Sequence, residues 1–357
     1  MKPTVIVDLM GSDLGPEVVA DGVAMAHDRG VGGASLRVVG GNDYKDYLRE
    51  LGYSDIGYDA IEGVIGMNDD PCKASERPPT TSVGLAVKLA ATQERSAVVS
   101  FGNSGAAYAA AFCHMRSLVK SPICKSAIAV VMPTFAGFPM VLLDAGANPD
   151  PRTYRPYDYL DLGLMGAAYC GLLVNGSSTM NVGLLSNGVE EHKGNSTLRA
   201  GFDLMRRSIL GGDLKGRYLG YAEGNDVLSG RFDVIVADGF TGNVALKLIE
   251  GVAFGLIGSI KKRLKQTTRG RVGGMLIKPA IRELMRGYDW RTHNGAPLLG
   301  VDGNVIIGHG KSDAVAVANA IDAAIRCARE DFPSILKRVL AGARRDFPDG
   351  YTKNLDK

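Results

Sequence analysis

Cysteine is scarce and follows no pairing pattern. The five cysteines (Cys72, Cys113, Cys124, Cys170, Cys327) are odd in number and widely spaced, with no CxxC pair, so neither a zinc knuckle nor a disulfide framework is supported. Long hydrophobic runs are also missing. The uncharged apolar stretch 127–143 is interrupted by Pro133 and Pro139, whereas a bilayer span takes about 20 apolar residues. Thr4-Val5-Ile6-Val7-Asp8 reads as a first strand rather than the apolar core of a signal peptide. The expectation is a cytoplasmic protein. Charge of one sign is lacking as well. The chain carries 41 Lys and Arg against 38 Asp and Glu, a net +3, which makes no general case for nucleic acid binding.

Several catalytic signatures are absent. No GxGxxG occurs, so the dinucleotide-binding fingerprint fails. Gly310-Lys311-Ser312 ends like a phosphate-binding loop, but Val305 stands where its first glycine belongs. Gly102-Asn103-Ser104-Gly105 falls short of a nucleophile elbow because position 106 is alanine. HExxH is missing and the five histidines are scattered singly, so no metal site is expected.

What the chain does have is 357 residues with 45% apolar and 22% charged side chains, the balance of a globular protein with ample core. Its 47 glycines gather with Asn, Asp and Ser at the ends of short β-rich runs. Residues 4–9, 36–40, 97–101, 181–185 and 233–237 each end in such a cluster and lead into a helical pattern. Continuous apolar strands are those covered on both faces, as in a parallel sheet between helices. Open sheets of that kind bind ligands at the C-terminal ends of their strands. The expected fold is therefore α/β, a Rossmann-like α/β/α sandwich with a mostly parallel sheet. No linker divides it, and 329–357 reads as a terminal helix and polar tail, dispensable to the chemistry.

One segment stands apart. Over 244–265, Ala245, Leu248, Ile249, Val252, Leu256, Ile257, Ile260 and Leu264 recur at helical spacing. A basic run follows with Lys261, Lys262, Arg263, Lys265, Arg269 and Arg271, then Lys278, Arg282 and Arg286, and it encloses Met275-Leu276-Ile277. A protruding, basic helical hairpin over 244–286 is expected. Its apolar stripe either packs on the body or a second subunit, or forms a docking surface for anionic lipid or an acidic partner.

Three glycine-bounded loops hold the remaining chemistry. Lys193 in Glu190-Glu191-His192-Lys193-Gly194-Asn195 lies among exposed backbone donors of the kind that hold phosphate oxyanions. Asp238-Gly239-Phe240-Thr241-Gly242-Asn243 opens the amphipathic helix, and Gly102-Asn103-Ser104-Gly105 opens another. Each could be an ordinary turn with a capping residue; together at neighbouring strand ends they favour an anion-binding cleft.

With Asp8-Leu9-Met10-Gly11-Ser12-Asp13, Leu143-Asp144-Ala145-Gly146-Ala147-Asn148, Gly295-Ala296-Pro297-Leu298-Leu299-Gly300 and His309-Gly310-Lys311-Ser312, these loops form an ordered set. Over roughly 3–328 that set resembles the PlsX family, the acyl-carrier-protein:phosphate acyltransferases of bacterial phospholipid synthesis. The resemblance implies an isopropylmalate dehydrogenase-like fold and a homodimer with no cofactor. It also implies attack of inorganic phosphate on a long-chain acyl thioester of acyl carrier protein. Phosphate is then the nucleophile, and no Ser/His/Asp triad or nucleophilic cysteine is needed. In that reaction Lys193 is expected to bind phosphate and to stabilise charge or protonate the thiol, and Asn243 to polarise the thioester carbonyl. Asn103, Ser104, Asn195 and His309 are expected to contact phosphate or pantetheine, with Asp8, Asp13 and Asp238 orienting the donors. Lys261, Lys262, Arg263, Lys265, Arg269 and Arg271 would meet the acidic carrier or an anionic membrane, where a membrane glycerol-3-phosphate acyltransferase takes the product. The rivals are a phosphotransacetylase-like enzyme using acyl-coenzyme A, a metal- and nucleotide-dependent dehydrogenase of similar fold, and a catalytically inactive scaffold.

Overall fold

In the computed structural model, residues 2–120, 123–176, 179–208, 215–287, 294–346, 348 and 351 are described, with the side chains of Phe254, of 281–287, of 215–216 and of Asp346 excepted. Arg282 and Arg286 of the basic run thus have side chains outside the described set, as does most of the polar tail.

The strands are β1 (Thr4–Asp8), β2 (Ser35–Gly40), β3 (Gly57–Ala60), β4 (Ser96–Ser100), β5 (Ala127–Pro133) and β6 (Pro139–Leu143), then β7 (Thr179–Leu185), β8 (Lys215–Ala222), β9 (Val234–Val236), β10 (Ala296–Leu299) and β11 (Asn304–Ile307). They join in one 11-stranded sheet of order β3-β2-β1-β4-β11-β10-β5-β6-β9-β7-β8. The first five in that order are mutually parallel, and so are the last four. Between them β10 and β5 pair antiparallel to their neighbours. Those reversals turn the two parallel groups in opposite directions, so their C-terminal ends lie at opposite edges of the sheet. The expected α/β fold with a mostly parallel sheet is what the structure shows.

The helices are α1 (Pro16–Asp28), α2 (Asn42–Glu50), α3 (Ser82–Ala91), α4 (Ser104–His114), α5 (Pro156–Tyr169), α6 (Ser196–Arg207), α7 (Gly239–Gln266), α8 (Thr268–Gly287), α9 (Ala314–Arg329) and α10 (Phe332–Asp346). Alternation along the strands assigns them to two layers. Val5, Val7, Val141, Leu143, Val182 and Val236 share one core with α1, α5, α6, α9 and α10. On the other face Ile6 and Val98 pack with α3 and α4, while Leu142 and Ile235 pack with the base of α7.

Helix α10 and Tyr351 belong to that core. Phe332, Leu336, Leu340 and Tyr351 are buried. Asp161 of α5, itself fully buried, accepts from Arg344 (2.8 Å) and from the Tyr351 hydroxyl (2.7 Å). A buried carboxylate stripped of its cation keeps the cost of desolvation without the attraction that offsets it.

The hairpin is present as α7 and α8, joined at Thr267 and protruding beyond the sheet. Its stripe divides in two. Ala245, Leu246 and Ile249 pack against the body, whereas Leu248, Val252, Leu256 and Ile260 stay exposed. The interrupted run 127–143 leads to the expectation of no membrane-length segment. With only Lys247 and Glu250 near its start, α7 is nonetheless long and apolar enough to cross a bilayer by length and composition, and its apolar window is unburied within the chain.

Arg344→Ala is expected to cost about 3–5 kcal/mol of folding stability, the usual loss on breaking a buried pair. Urea denaturation reads this directly, and a loss under about 1 kcal/mol would contradict the clamp.

Candidate active site

Strands β6, β9 and β7 are neighbours and parallel, so the loops after them meet at one edge. The loop after β6 is organised by Asp144, which is fully buried. Its Oδ1 accepts from the backbone N–H groups of Ile128 (3.0 Å), Gly146 (3.0 Å) and Ala147 (2.8 Å). Oδ2 accepts from the Asn148 N–H (3.0 Å), the Asn148 side-chain amide (2.9 Å) and the Tyr154 hydroxyl (3.0 Å). Six donors saturate a carboxylate, which offers about four lone-pair directions. Asp144 is therefore an anchor and has no lone pair left to serve as a base.

The loop after β9 opens α7. Asp238 caps it, accepting from the Thr241 N–H (2.9 Å) and the Thr241 hydroxyl (2.7 Å). The Gly239 N–H donates to the Tyr154 hydroxyl at 2.9 Å. Two first-turn donors are thus occupied by protein groups, and Asp238 acts as a cap. Asn243 follows one turn later and lies against the Asp144 loop. A Cβ on Gly146, which has φ +129°, would stand 3.4 Å from the Asn243 side chain, and one on Gly242 would collide with the Asp144 carbonyl. Gly242 is needed for the loop and helix to approach this closely, and Gly146 for its positive φ.

The loop after β7 carries Lys193. Its ammonium is one-third exposed and 3.9 Å from the Glu190 carboxylate. The loop is braced by Gly194 N–H donating to the Asn187 side chain (3.0 Å) and by the Tyr221 hydroxyl donating to the Lys193 carbonyl (3.3 Å). Asn195 caps α6 by accepting from the Leu198 N–H at 2.8 Å.

The remaining residues expected at the site gather at the opposite edge. Asp8 is buried and accepts from the Ser100 hydroxyl (2.8 Å) and the Met10 N–H (3.1 Å). Burial pushes its carboxyl up to about 6. Asn103 caps α4 through the Ala106 N–H (3.2 Å) and its amide donates to the Gly66 carbonyl (3.2 Å), while Ser104 is exposed in the first turn. The Asp13 N–H donates to the Gly310 carbonyl at 2.9 Å, which joins the first and last of the ordered motifs. His309 Nδ1 accepts from the Lys311 N–H (3.1 Å), so its proton sits on Nε2. Partial burial and the nearby Lys247 charge lower its pKa, which keeps it neutral at physiological pH.

Packing joins the Asp144 loop to α4: Ala147 lies against the cluster formed by Ala106, Ala107, Ala110 and Ala111. Sequence reasoning grouped Lys193 with Asn243, and these are the pair on the β7 and β9 loops. Asp8, Asp13, Asn103, Ser104 and His309, expected at neighbouring strand ends with them, lie instead at the ends of the oppositely directed group β1, β4 and β11, because β10 and β5 reverse the sheet between the two. Sequence reasoning gave no role to Asp144, although an aspartate between a strand and a glycine turn was the available signal. Tyr154 had no signal at all.

The strand-end loops thus present a half-buried lysine beside the N-termini of α6 and α7, groups of the kind that hold anions. A family model described as "Fatty acid synthesis protein" matches residues 4–335. The phosphate acyltransferase of Anaeromyxobacter sp. (strain K) is 36% identical over 343 residues, 94% of this chain and 90% of that one. That of Syntrophotalea carbinolica is 37% identical over 320 residues, 89% and 88% of the two chains. In fold the chain is similar to the EutD phosphotransacetylase from Staphylococcus aureus, with TM-score 0.58, 13% identity and 91% and 94% coverage. A phosphotransacetylase from Streptococcus pyogenes gives TM-score 0.58, 14% identity and 92% and 94% coverage. The protein is an acyltransferase. It belongs to the fatty acid synthesis protein family, the PlsX family, whose curated members are named phosphate acyltransferase.

The rise of Asp8 from the ordinary 3.8 to about 6 has a defined sign. The folded state binds the extra proton, so this contribution to stability is complete below the unfolded value and is lost as pH rises through about 6, a swing of roughly 3 kcal/mol. Asp8→Asn should flatten the decline in unfolding free energy between pH about 4 and about 7. Asp161, also pushed up to about 6 by burial, retains its own share of the slope. An unchanged pH profile in the variant would contradict the assignment.

Proposed function

We propose that this protein transfers a long-chain acyl group from acyl carrier protein to inorganic phosphate, giving acyl phosphate for phospholipid synthesis. The observation that carries this reading is the meeting of the Asp144, Asn243 and Lys193 loops at one strand edge. Family membership supports acyl transfer to phosphate. The reaction needs no side-chain nucleophile, because phosphate supplies its own.

A phosphate oxygen attacks the thioester carbonyl carbon and the new C–O bond yields a tetrahedral oxyanion. Collapse of that intermediate breaks the C–S bond, and the thiolate leaves with the electron pair and takes up a proton. Lys193 holds the dianion and either stabilises the developing charge or protonates the departing thiolate, while the Asn243 amide donates to the carbonyl oxygen as its charge grows. His309 and Ser104 contact phosphate or pantetheine in this reading.

The hairpin supports a peripheral membrane role. Lys261, Lys262, Arg263, Lys265, Arg269 and Arg271 are all exposed around its tip, beside exposed Met275, Leu276 and Ile277. An acidic carrier or an anionic leaflet meets such a surface favourably, at about 1 kcal/mol per basic residue near a membrane. The same stripe, paired with a second copy, forms a homodimer contact. Product released there is within reach of a membrane glycerol-3-phosphate acyltransferase, at the cytoplasmic face.

Lys193→Ala and Asn243→Ala should each slow acyl phosphate formation, trapped as hydroxamate, by about a hundredfold or more without unfolding the protein. Near-normal rates in both would overturn the site. Reversal of Lys261, Lys262 and Arg263 to Glu should abolish salt-sensitive binding to anionic vesicles, and unchanged binding would remove the hairpin from the membrane role.

A further inference from the structure

We propose that Tyr154 is a positioning residue for acyl transfer: its buried hydroxyl ties the Asp144 carboxylate to the first turn of α7 and thereby sets Asn243 at the reacting carbonyl. The proposal rests on the role given to Asn243 above.

Tyr154 lies late in the connection from β6 to α5, after the turn Pro151–Thr153, and is 3% exposed. Its hydroxyl donates to Asp144 Oδ2 (3.0 Å) and accepts from the Gly239 N–H (2.9 Å). A phenol has one proton to give and lone pairs to receive, and this geometry uses both functions. The ring is itself held, stacked on Tyr159 at 5.4 Å between centroids and with the Lys125 ammonium 4.7 Å from its centre. Lys125 is fixed in turn by donating to the Thr153 hydroxyl at 3.1 Å. Burial and the neighbouring Asp144 raise the phenol far above its ordinary pKa, so the proton stays in place throughout the working pH range.

The tether has a specific mechanical consequence. Asp238 caps α7 from the β9 side, and that cap alone fixes the helix start to its own strand. The link through Tyr154 joins the same turn to a different loop, the one anchored by Asp144. Asn243 sits where that loop and α7 touch, against Gly146. Loss of the hydroxyl removes the cross-link and leaves the cap, so α7 persists while the register between Asn243 and the Asp144 loop loosens. A donor misplaced by a fraction of an ångström loses transition-state stabilisation more than ground-state binding.

The test is a double-mutant cycle in the full-length protein, with inorganic phosphate and long-chain acyl carrier protein as substrates. Tyr154→Phe should lower kcat about tenfold, with KM for phosphate within about twofold and an unchanged pH profile. Asn243→Ala should lower kcat about a hundredfold, and the double variant should fall no further than Asn243→Ala alone. Losses that multiply to about a thousandfold would show that Tyr154 acts independently of Asn243 and would overturn the proposal. An unaltered kcat in Tyr154→Phe would overturn it as well. A fully active Asn243→Ala would instead overturn the reading of the site on which the proposal rests. If Tyr154→Phe accumulates poorly, 3-fluorotyrosine at position 154 keeps the hydroxyl while weakening it as an acceptor, and it should show the same non-additivity with a loss of about threefold.

Discussion

One buried carboxylate holds the candidate site together. Asp144 receives six hydrogen bonds from β5, from its own loop and from Tyr154. A buried anion is tolerated only where donors replace the water it has lost, and here every donor is part of the frame around the reaction. The loop cannot drift without exposing that charge to an unpaired interior. Through Tyr154 the same constraint reaches Gly239 and the start of α7, and the packing of Asn243 on Gly146 follows from it.

The sheet gives this anchor its setting. Because β10 and β5 reverse direction in the middle, the two parallel groups present their binding ends to opposite edges. Such an arrangement does not by itself produce one cleft. Helix α4 supplies a connection, since Ala147 of the Asp144 loop packs against the core cluster to which Ala107 and Ala110 of that helix belong. The further course of α7 carries the exposed apolar stripe and the basic tip.

Legibility from sequence followed burial only in part, since the buried central strands β10 and β11, four residues each, coincide with none of the expected runs. The expected strands at 4–9, 36–40, 97–101, 181–185 and 233–237 became β1, β2, β4, β7 and β9, because strands covered on both faces are written as unbroken apolar runs. The strands β3 and β8 escaped notice as sheet edges, where one side is unpaired and Gly-Tyr-Asp-Ala or Lys-Gly-Arg-Tyr sequences suffice. The run 127–143 was visible only as an uncharged stretch, since the turn between β5 and β6 lies within it. Lys193 and Asn243 could be found because glycine loops advertise themselves. Caps such as Asn103 and Asn195 carry the same residue types at the same places, so their capping bonds became evident only in three dimensions. The tether of Tyr154 links positions 10 and 85 residues apart and leaves no local pattern.

The most direct test of the central claim is a donor comparison with the unmodified protein. Inorganic phosphate is supplied with long-chain acyl carrier protein in one reaction and with the matching acyl-coenzyme A in another, and acyl phosphate is trapped as hydroxamate. Formation of acyl phosphate from the carrier thioester, at a rate well above that from coenzyme A, is the predicted result. Product from the coenzyme A ester alone, or from neither donor, would contradict it.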